Sequence, residues 1–376
     1  MRFFGVFILL FFAVFCGVST FCAAQSSTDR DQAIKSRPFH MGFTRWPPEL
    51  TLEGQARADQ FIEDHADLVA LHFDNGIPWP EAHGLTRYSK NVMERLTYTI
   101  PEGKKLYVAV TPINLERDGL APYWAERDGL PLPEPWNKAR FNDDSVKRAY
   151  TKYLGDVVER LQPDYLCIGI EVNLLIEKSP GKWADYVELH RYAYEHLKKT
   201  YKKLPIFVSF AVLHLNGLAD GADKERQYKL VRDIMPYSDY FGMSVYPYMS
   251  WDVPAPIPDD FFDFARSFGR PIVVAESGYS SRNVWVSLFL LSGSEKLQNH
   301  FLDRLLRAAV RDRYVFIVNY AAIDFDKMIG SLPSNLRGLA GIWQYTGLMT
   351  SRGKAKPALA LWDAYHQLPY YSPERK

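Results

Sequence analysis

The chain has 376 residues, 47% of them hydrophobic and 24% charged, the proportions of an ordinary globular protein. Its formal charge of +1 leaves no electrostatic footprint for nucleic acid. The length accommodates two smaller domains or one large one, such as an α/β barrel with insertions. Aromatic residues make up 15%, with 9 Trp and 23 Tyr. They read first as a large core and second as a cleft lined with rings, on which flat sugar faces stack.

The opening stretch, MRFFGVFILLFFAVFCGVSTFCAA (residues 1–24), has one Arg, a long apolar run and then small residues. That order predicts a secretory signal cleaved after Ala24 and a secreted or periplasmic protein. The alternative is a retained N-terminal anchor, since the apolar run is long enough to span a bilayer. No other segment reads as membrane-spanning. Cleavage removes Cys16 and Cys22 and leaves Cys167 alone, which rules out disulfides within the processed chain and a thiolate metal site. No His and carboxylate cluster suggests a metal, and no cofactor is expected. Residues 25–37 are polar and are read as a loose segment.

Apolar strand-like runs then alternate with helical periodicity. The predicted strands are 39–43, 67–73, 105–110, 164–170, 205–211, 239–245, 271–276 and 314–320. Helices fall between them, as in SVKRAYTKYLGDVVERL, WADYVELHRYAYEHLKK and KLQNHFLDRLLRAAVRD, and KPALALWDAYHQL closes the chain. Eight strands alternating with helices predict a single-domain (β/α)8 TIM barrel over residues 38–370. An open doubly wound sheet would often carry a Gly-rich phosphate loop after its first strand, and here that strand runs into TRWPPEL. Two long loops, 112–140 and 321–357, are candidate cleft walls.

In such a barrel the chemistry comes from the carboxyl ends of the strands. Strand 4 ends in CIGIEVN and strand 7 in PIVVAESGYSS. A carboxylate at the mouth of an apolar strand is costly without a partner or a task. Side-chain alternation puts Tyr165, Cys167, Gly169 and Glu171 on one face of strand 4, with Leu166, Ile168 and Ile170 on the other. On strand 6 it groups Tyr240, Gly242, Ser244 and Tyr246, and on strand 7 Ile272, Val274 and Glu276. Glu171 and Glu276 thus project into one barrel mouth from opposite sides. Glycoside hydrolysis uses such a pair, one carboxylic acid to protonate the leaving oxygen and one carboxylate to act at the anomeric carbon.

Glutamates ending strands 4 and 7, a Tyr ending strand 6 in SVYPY, and AESGYS after strand 7 resemble the clan of retaining β-glycosidases with (β/α)8 barrels. Within it the chain is most similar to the arabinogalactan endo-β-1,4-galactanase family and its relatives. The resemblance implies Glu171 as acid/base, Glu276 as nucleophile, and Tyr246 as the residue that orients the nucleophile. The clan's usual Asn before the acid/base is here Ile170, with Asn173 two residues after Glu171 as a possible substitute. The Trp that often ends the last strand is replaced by Asn319 and Tyr320, which leaves Trp343 of GIWQYTGLM to supply that wall.

Further substrate-binding candidates are Asp74 and Trp79 in HFDNGIPWPEA and His214 after strand 5. Of Trp46, Trp124, Trp136 and Trp251, all in predicted loops, about two are expected to touch ligand. The expected function is an exported retaining glycoside hydrolase acting on a β-linked polysaccharide or oligosaccharide. The rival motivated by Ile170 is a catalytically inactive carbohydrate-binding barrel. A metal-dependent barrel hydrolase is a third possibility. The expected partner is a glycan.

Overall fold

A computed structural model describes residues 34–286, 289–332 and 341–372. The leader 1–24 and residues 25–33 of the segment 25–37 lie outside the described residues. Two units are distinguished, 1–35 and 36–376, and the barrel belongs to the second.

Eight parallel strands close on themselves: β1 (His40–Thr44), β2 (Leu68–Phe73), β3 (Lys105–Val110), β4 (Tyr165–Cys167), β5 (Ile206–Ala211), β6 (Phe241–Val245), β7 (Ile272–Ser277) and, after a two-stranded hairpin of β8 (Val284–Val286) and β9 (Phe289–Leu291), β10 (Phe316–Asn319). Their order round the barrel is β1-β10-β7-β6-β5-β4-β3-β2. The expected (β/α)8 barrel is therefore the observed fold. The helical patterns also form where the periodicity placed them, as Asp144–Leu161, Trp183–Thr200, Glu295–Arg311 and Pro357–His366. Their starts follow local chemistry. Ser294 Oγ accepts the N–H of Leu297, and Pro357 opens the last helix at a position where no N–H is needed.

The lumen is packed with side chains. Leu68, Ala70, Tyr107, Ala109, Cys167, Phe207, Tyr240, Val273, Ala275, Phe316 and Val318 form one buried cluster, joined by Ile170. Tyr107 stacks on Phe207 at 5.8 Å and meets Phe316 at 5.0 Å, so aromatic rings fill the barrel floor. At the opposite end from the cleft, His40 stacks on Tyr370 and faces Asp67, which Arg37 also holds. Burial opposes the Asp67 charge, but the His40 hydrogen bond and the Arg37 guanidinium bring its carboxyl down to about 2.

Two face assignments made by alternation do not hold. β4 ends at Cys167, three residues short of the expected strand, and residues 168–170 bend. The bend turns Ile170 into the lumen cluster and Gly169 outward, where a Cβ would lie 2.3 Å from the Tyr186 hydroxyl on the outer helix. On β7 it is Val273 and Ala275 that face the lumen, rather than Val274. The pairing of β6 with β7 slips by one residue between Met243 and Ser244, so that Ser244 pairs with Glu276. Such a bulge re-aims one side chain, and here it brings Glu276 to the Tyr246 hydroxyl and His72.

Candidate active site

Glu171 sits just past β4 with φ 48°, a left-handed backbone conformation that costs a non-glycine residue roughly 1–2 kcal/mol. Its surroundings hold it there. Its N–H donates to Ser209 Oγ at 3.0 Å, and its carbonyl accepts the N–H of Leu174. Its Oε1 accepts Ser244 Oγ–H at 2.8 Å, and its Oε2 accepts Arg117 Nη2–H at 2.9 Å. Strained backbone of this kind gathers at functional sites.

Glu276, at the end of β7, is 6% exposed. Tyr246 OH donates to its Oε2 at 3.0 Å, and Oε1 lies 3.4 Å from Nδ1 of His72. The other ring nitrogen of His72 is 3.5 Å from Asp74 Oδ2, so the imidazole stands between two carboxylates. Burial works against a charge on His72, yet the Glu276 and Asp74 carboxylates outweigh it and push its pKa up to about 9. Asp74, although buried, is held below the usual carboxylate range by His72. Glu276 moves the other way. Burial raises it, His72 opposes, and the neighbouring Glu171 charge adds to the rise, leaving it at about 7. Two carboxylates of unlike surroundings therefore share the mouth, one clasped by an Arg and a Ser, the other buried beside an imidazolium.

Rings surround this pair. Tyr320 lies 6.0 Å from Tyr246, from His72 and from Trp46, and 6.2 Å from Trp343. Trp343 is in turn 6.1 Å from Tyr246, and its indole N–H is buried with no hydrogen-bond partner among the described residues. A cavity of about 410 Å³ is lined by Thr44, Trp46, His72, Phe73 and Tyr98; neither Glu171 nor Glu276 lines it. Among the described residues, no group of three or more His, Cys, Asp or Glu is arranged to hold a metal ion.

The structure thus brings together Glu171, Glu276, Tyr246, Asp74 and Trp343. It does not bring Asn173 or Trp79 to the cleft. Asn173 is fully buried; its amide donates to Ala211 O and Gln227 Oε1 and its oxygen accepts Ala211 N–H, so it ties the end of β5 to an outer helix and cannot replace the missing Asn. Trp79 is also fully buried, donating to Ala121 O and stacked on Trp136, because the Pro-fixed turn folds it under the 112–140 loop. Trp124 and Trp136 are likewise packed inside. His214 reaches Asp220 at 3.2 Å rather than either glutamate, and Trp251 is 68% exposed beside a separate cavity.

Three polar residues of the site escaped sequence reasoning. His72 had a signal, since the alternation Leu68, Ala70, His72 along β2 places it in the lumen. Ser244 lay on a face already assigned inward. Arg117 had none, because it comes from a long loop and is set by a left-handed turn of its own, with φ 58°.

Comparison with known proteins agrees with this geometry. Residues 122–286 match the model of Glycosyl hydrolase family 53. A curated protein of Niallia circulans, described only as uncharacterized in the bgaB 5′ region, is 23% identical over 172 residues, which cover 42% of this chain. The match spans about half the length of that relative, 45%. Among solved structures, GH5_18 from Streptomyces cattleya in complex with GlcNAc superposes with a TM-score of 0.60 at 15% identity, covering 90% of this chain and 83% of its own. An exo-β-1,4-mannosidase from Opitutaceae bacterium strain TAV5 gives 0.59 at 15%, covering 88% of this chain and 60% of the mannosidase. GH10 from Paenibacillus barcinonensis gives 0.58 at 11%, covering 89% and 97%. At these identities the solved structures speak to the fold alone, and the family match covers less than half of the chain. Together they bear out the resemblance drawn from the strand ends.

Proposed function

We propose that this chain, a (β/α)8 barrel whose residues 122–286 match glycosyl hydrolase family 53, is an exported retaining hydrolase of β-linked glycans. The observation that supports this best is the placement of Glu171 and Glu276 at one mouth, with Tyr246 and His72 on Glu276. In this reading the Glu276 carboxylate attacks the anomeric carbon while Glu171 gives a proton to the leaving oxygen. Water then opens the glycosyl ester, with Glu171 taking its proton. Tyr246 fixes the attacking oxygen, and His72 favours the ionised form that attack requires. The apolar leader supports export. The sugars named for the solved neighbours put β-1,4-mannan and GlcNAc-containing oligosaccharides on the test panel beside β-1,4-galactan. Release of reducing sugar with retained anomeric configuration is expected from one of them. Inverted products would overturn the double displacement.

A second reading, glycan binding without hydrolysis, draws on the Arg117 hydrogen bond to Glu171 and on Ile170 in place of Asn. It expects calorimetric binding to a panel glycan with no reducing sugar released.

His72 offers a test through pH. Glu276 must be ionised to attack, so kcat/KM should fall as pH drops through about 7. Replacing the imidazolium, as in His72→Gln, removes an interaction that lowers the Glu276 pKa. The acidic limb should then move to higher pH, by about one unit, or tenfold in rate on the limb. A uniform loss of rate with the limb unmoved would reduce His72 to packing.

A further inference from the structure

Another cavity, of about 480 Å³, is lined by neither Glu171 nor Glu276 and by none of the residues around the first. Its walls come from the segments that follow four barrel strands: Ala219 and Asp220 after β5, Met249–Asp252 after β6, the hairpin after β7, and Ile342 after β10. It therefore opens on the face of the barrel that carries Glu171 and Glu276.

The hairpin makes one wall. In its antiparallel pairing Val286 faces Phe289 and Val284 faces Leu291, while Trp285 pairs with Leu290 on the opposite side. Val286, Phe289 and Leu291 line the cavity, and Phe289 meets Trp251 edge-on at 5.3 Å. Trp251 and Phe289 are nevertheless 68% and 56% exposed. Exposed aromatic rings grouped at a cavity mark a binding surface more often than a fold requirement. The remaining lining is mixed, with Ala219, Met249 and Ile342 apolar and Asp220, Ser250 and Asp252 polar. Asp220 and Asp252 offer carboxylates, and His214 Nε2 stands 3.2 Å from Asp220 Oδ2 and fixes it. Ser250 is tied back to Leu218 O, which fixes the turn that presents Trp251.

We propose that this cavity is a remote carbohydrate subsite, which holds the part of a glycan chain that extends beyond the sugars at Glu171 and Glu276. The proposal rests on the glycosidase reading and adds to it that the substrate is a chain rather than a disaccharide. Flat rings beside hydroxyl-accepting carboxylates suit a sugar, with its apolar face and its equatorial hydroxyls. A purely apolar partner would cover the Asp252 carboxylate and offer it no hydrogen bond. Continuity with the carboxylate site supports the same occupant. Tyr246, bonded to Glu276, is five residues before Trp251, a reach of at most about 18 Å. Tyr248 OH donates to Ile342 O, which joins the cavity wall to Trp343 beside Tyr246. A chain of a few sugars spans that distance.

The test compares Trp251→Ala and Phe289→Ala with the unaltered protein on oligomers of the active panel glycan, from disaccharide upward, and on its aryl monoglycoside. The probes are β-1,4-linked galactose and mannose oligomers. Both substituted side chains are exposed, so the fold should persist, and melting curves check it. Expected is a loss of about tenfold in kcat/KM on the long oligomers, carried by KM, with the aryl glycoside unchanged within about twofold. Equal loss on long and short substrates, or none on either, overturns the subsite and leaves the glycosidase standing. If the unaltered protein neither cleaves nor binds any oligomer, the glycosidase reading falls first. Adsorption to phosphatidylcholine vesicles that Trp251→Ala abolishes, with no effect on oligomers, would assign the patch to a membrane and also overturn the subsite.

Discussion

Glu276→Gln is expected to lower kcat on the active glycan on the order of 10⁴-fold, as other enzymes do when a reacting group or its immediate partner is removed. That factor is about 5.4 kcal/mol of transition-state stabilisation. The amide keeps the shape and can still accept from Tyr246, but it has no negative oxygen for the anomeric carbon. A 2-fluoro glycoside of the same sugar should become attached to Glu276, read as a mass shift on the peptide that contains it. A label on any other residue would sink the assignment. Glu171→Gln separates the two roles. On a sugar leaving group, which needs a proton, the loss should be about 10²–10⁴-fold. On an activated aryl leaving group, which needs none, the first step should be nearly spared. Stability should move the opposite way from activity. Burial raises the Glu276 carboxyl to about 7, so its charge is disfavoured where it stands, and the neutral amide should melt no lower than the native protein. A large drop in melting temperature with Glu276→Gln would mean that the carboxylate serves the fold.

The second large effect lies in the loop that carries Trp343. Lys356 and Asp324 are each 2% exposed and pair at 2.6 Å. Lys356 Nζ also donates to Gly347 O and Tyr345 O, and Asp324 accepts the N–H of Gly347. The pair thus pins Tyr345 and Gly347, shortly after Trp343, to the start of the last helix. Burial pushes the Asp324 carboxyl up from 3.8 to about 6 despite Lys356, and pushes the ammonium down despite Asp324. Desolvation therefore outweighs the attraction for both partners. Lys356→Met should cost about 3–5 kcal/mol at neutral pH, because it leaves a buried carboxylate without its counter-charge. The folded protein binds a proton at Asp324 more tightly than the unfolded chain does. The Asp324 contribution is therefore most favourable below 3.8 and is lost as pH rises through about 6. The Lys356→Met deficit should accordingly shrink toward pH 4, seen in chemical denaturation at the two pH values. Asp324→Leu with Lys356→Met should recover much of the loss. A deficit that is equal at both pH values would mean that Lys356 acts through its carbonyl contacts alone.

Much of the site was legible before the fold. The two glutamates and Tyr246 stand out because a polar residue ending an apolar strand has few structural reasons to be there. His72 was legible by the same rule of alternation along β2 and was passed over for its neighbour Asp74. The errors have a common origin. Asn173 and Trp79 were judged by residue type and by nearness in sequence to strand ends. Burial decides whether a side chain can meet a ligand, and each instead satisfies backbone groups inside the protein. The inward aim of Glu276 was predicted, but from an unbroken period of two. The structure reaches it through a bulge, since the period alone would have faced Val274 rather than Val273 and Ala275 into the lumen.

The barrel follows from local pattern, because eight apolar runs separated by amphipathic helices can bury their surfaces in few other ways. That pattern also places two carboxylates at strand ends on opposite sides of the barrel. How each carboxylate is held depends instead on contacts made across the closed barrel. Arg117 and Ser244 reach Glu171 from a loop and from β6, and His72 and Tyr246 reach Glu276 from β2 and β6. These partners are distant in sequence, and local pattern carries no information about them. Their charges act over a few ångströms in a dry site, and that distance exists only once the barrel has closed.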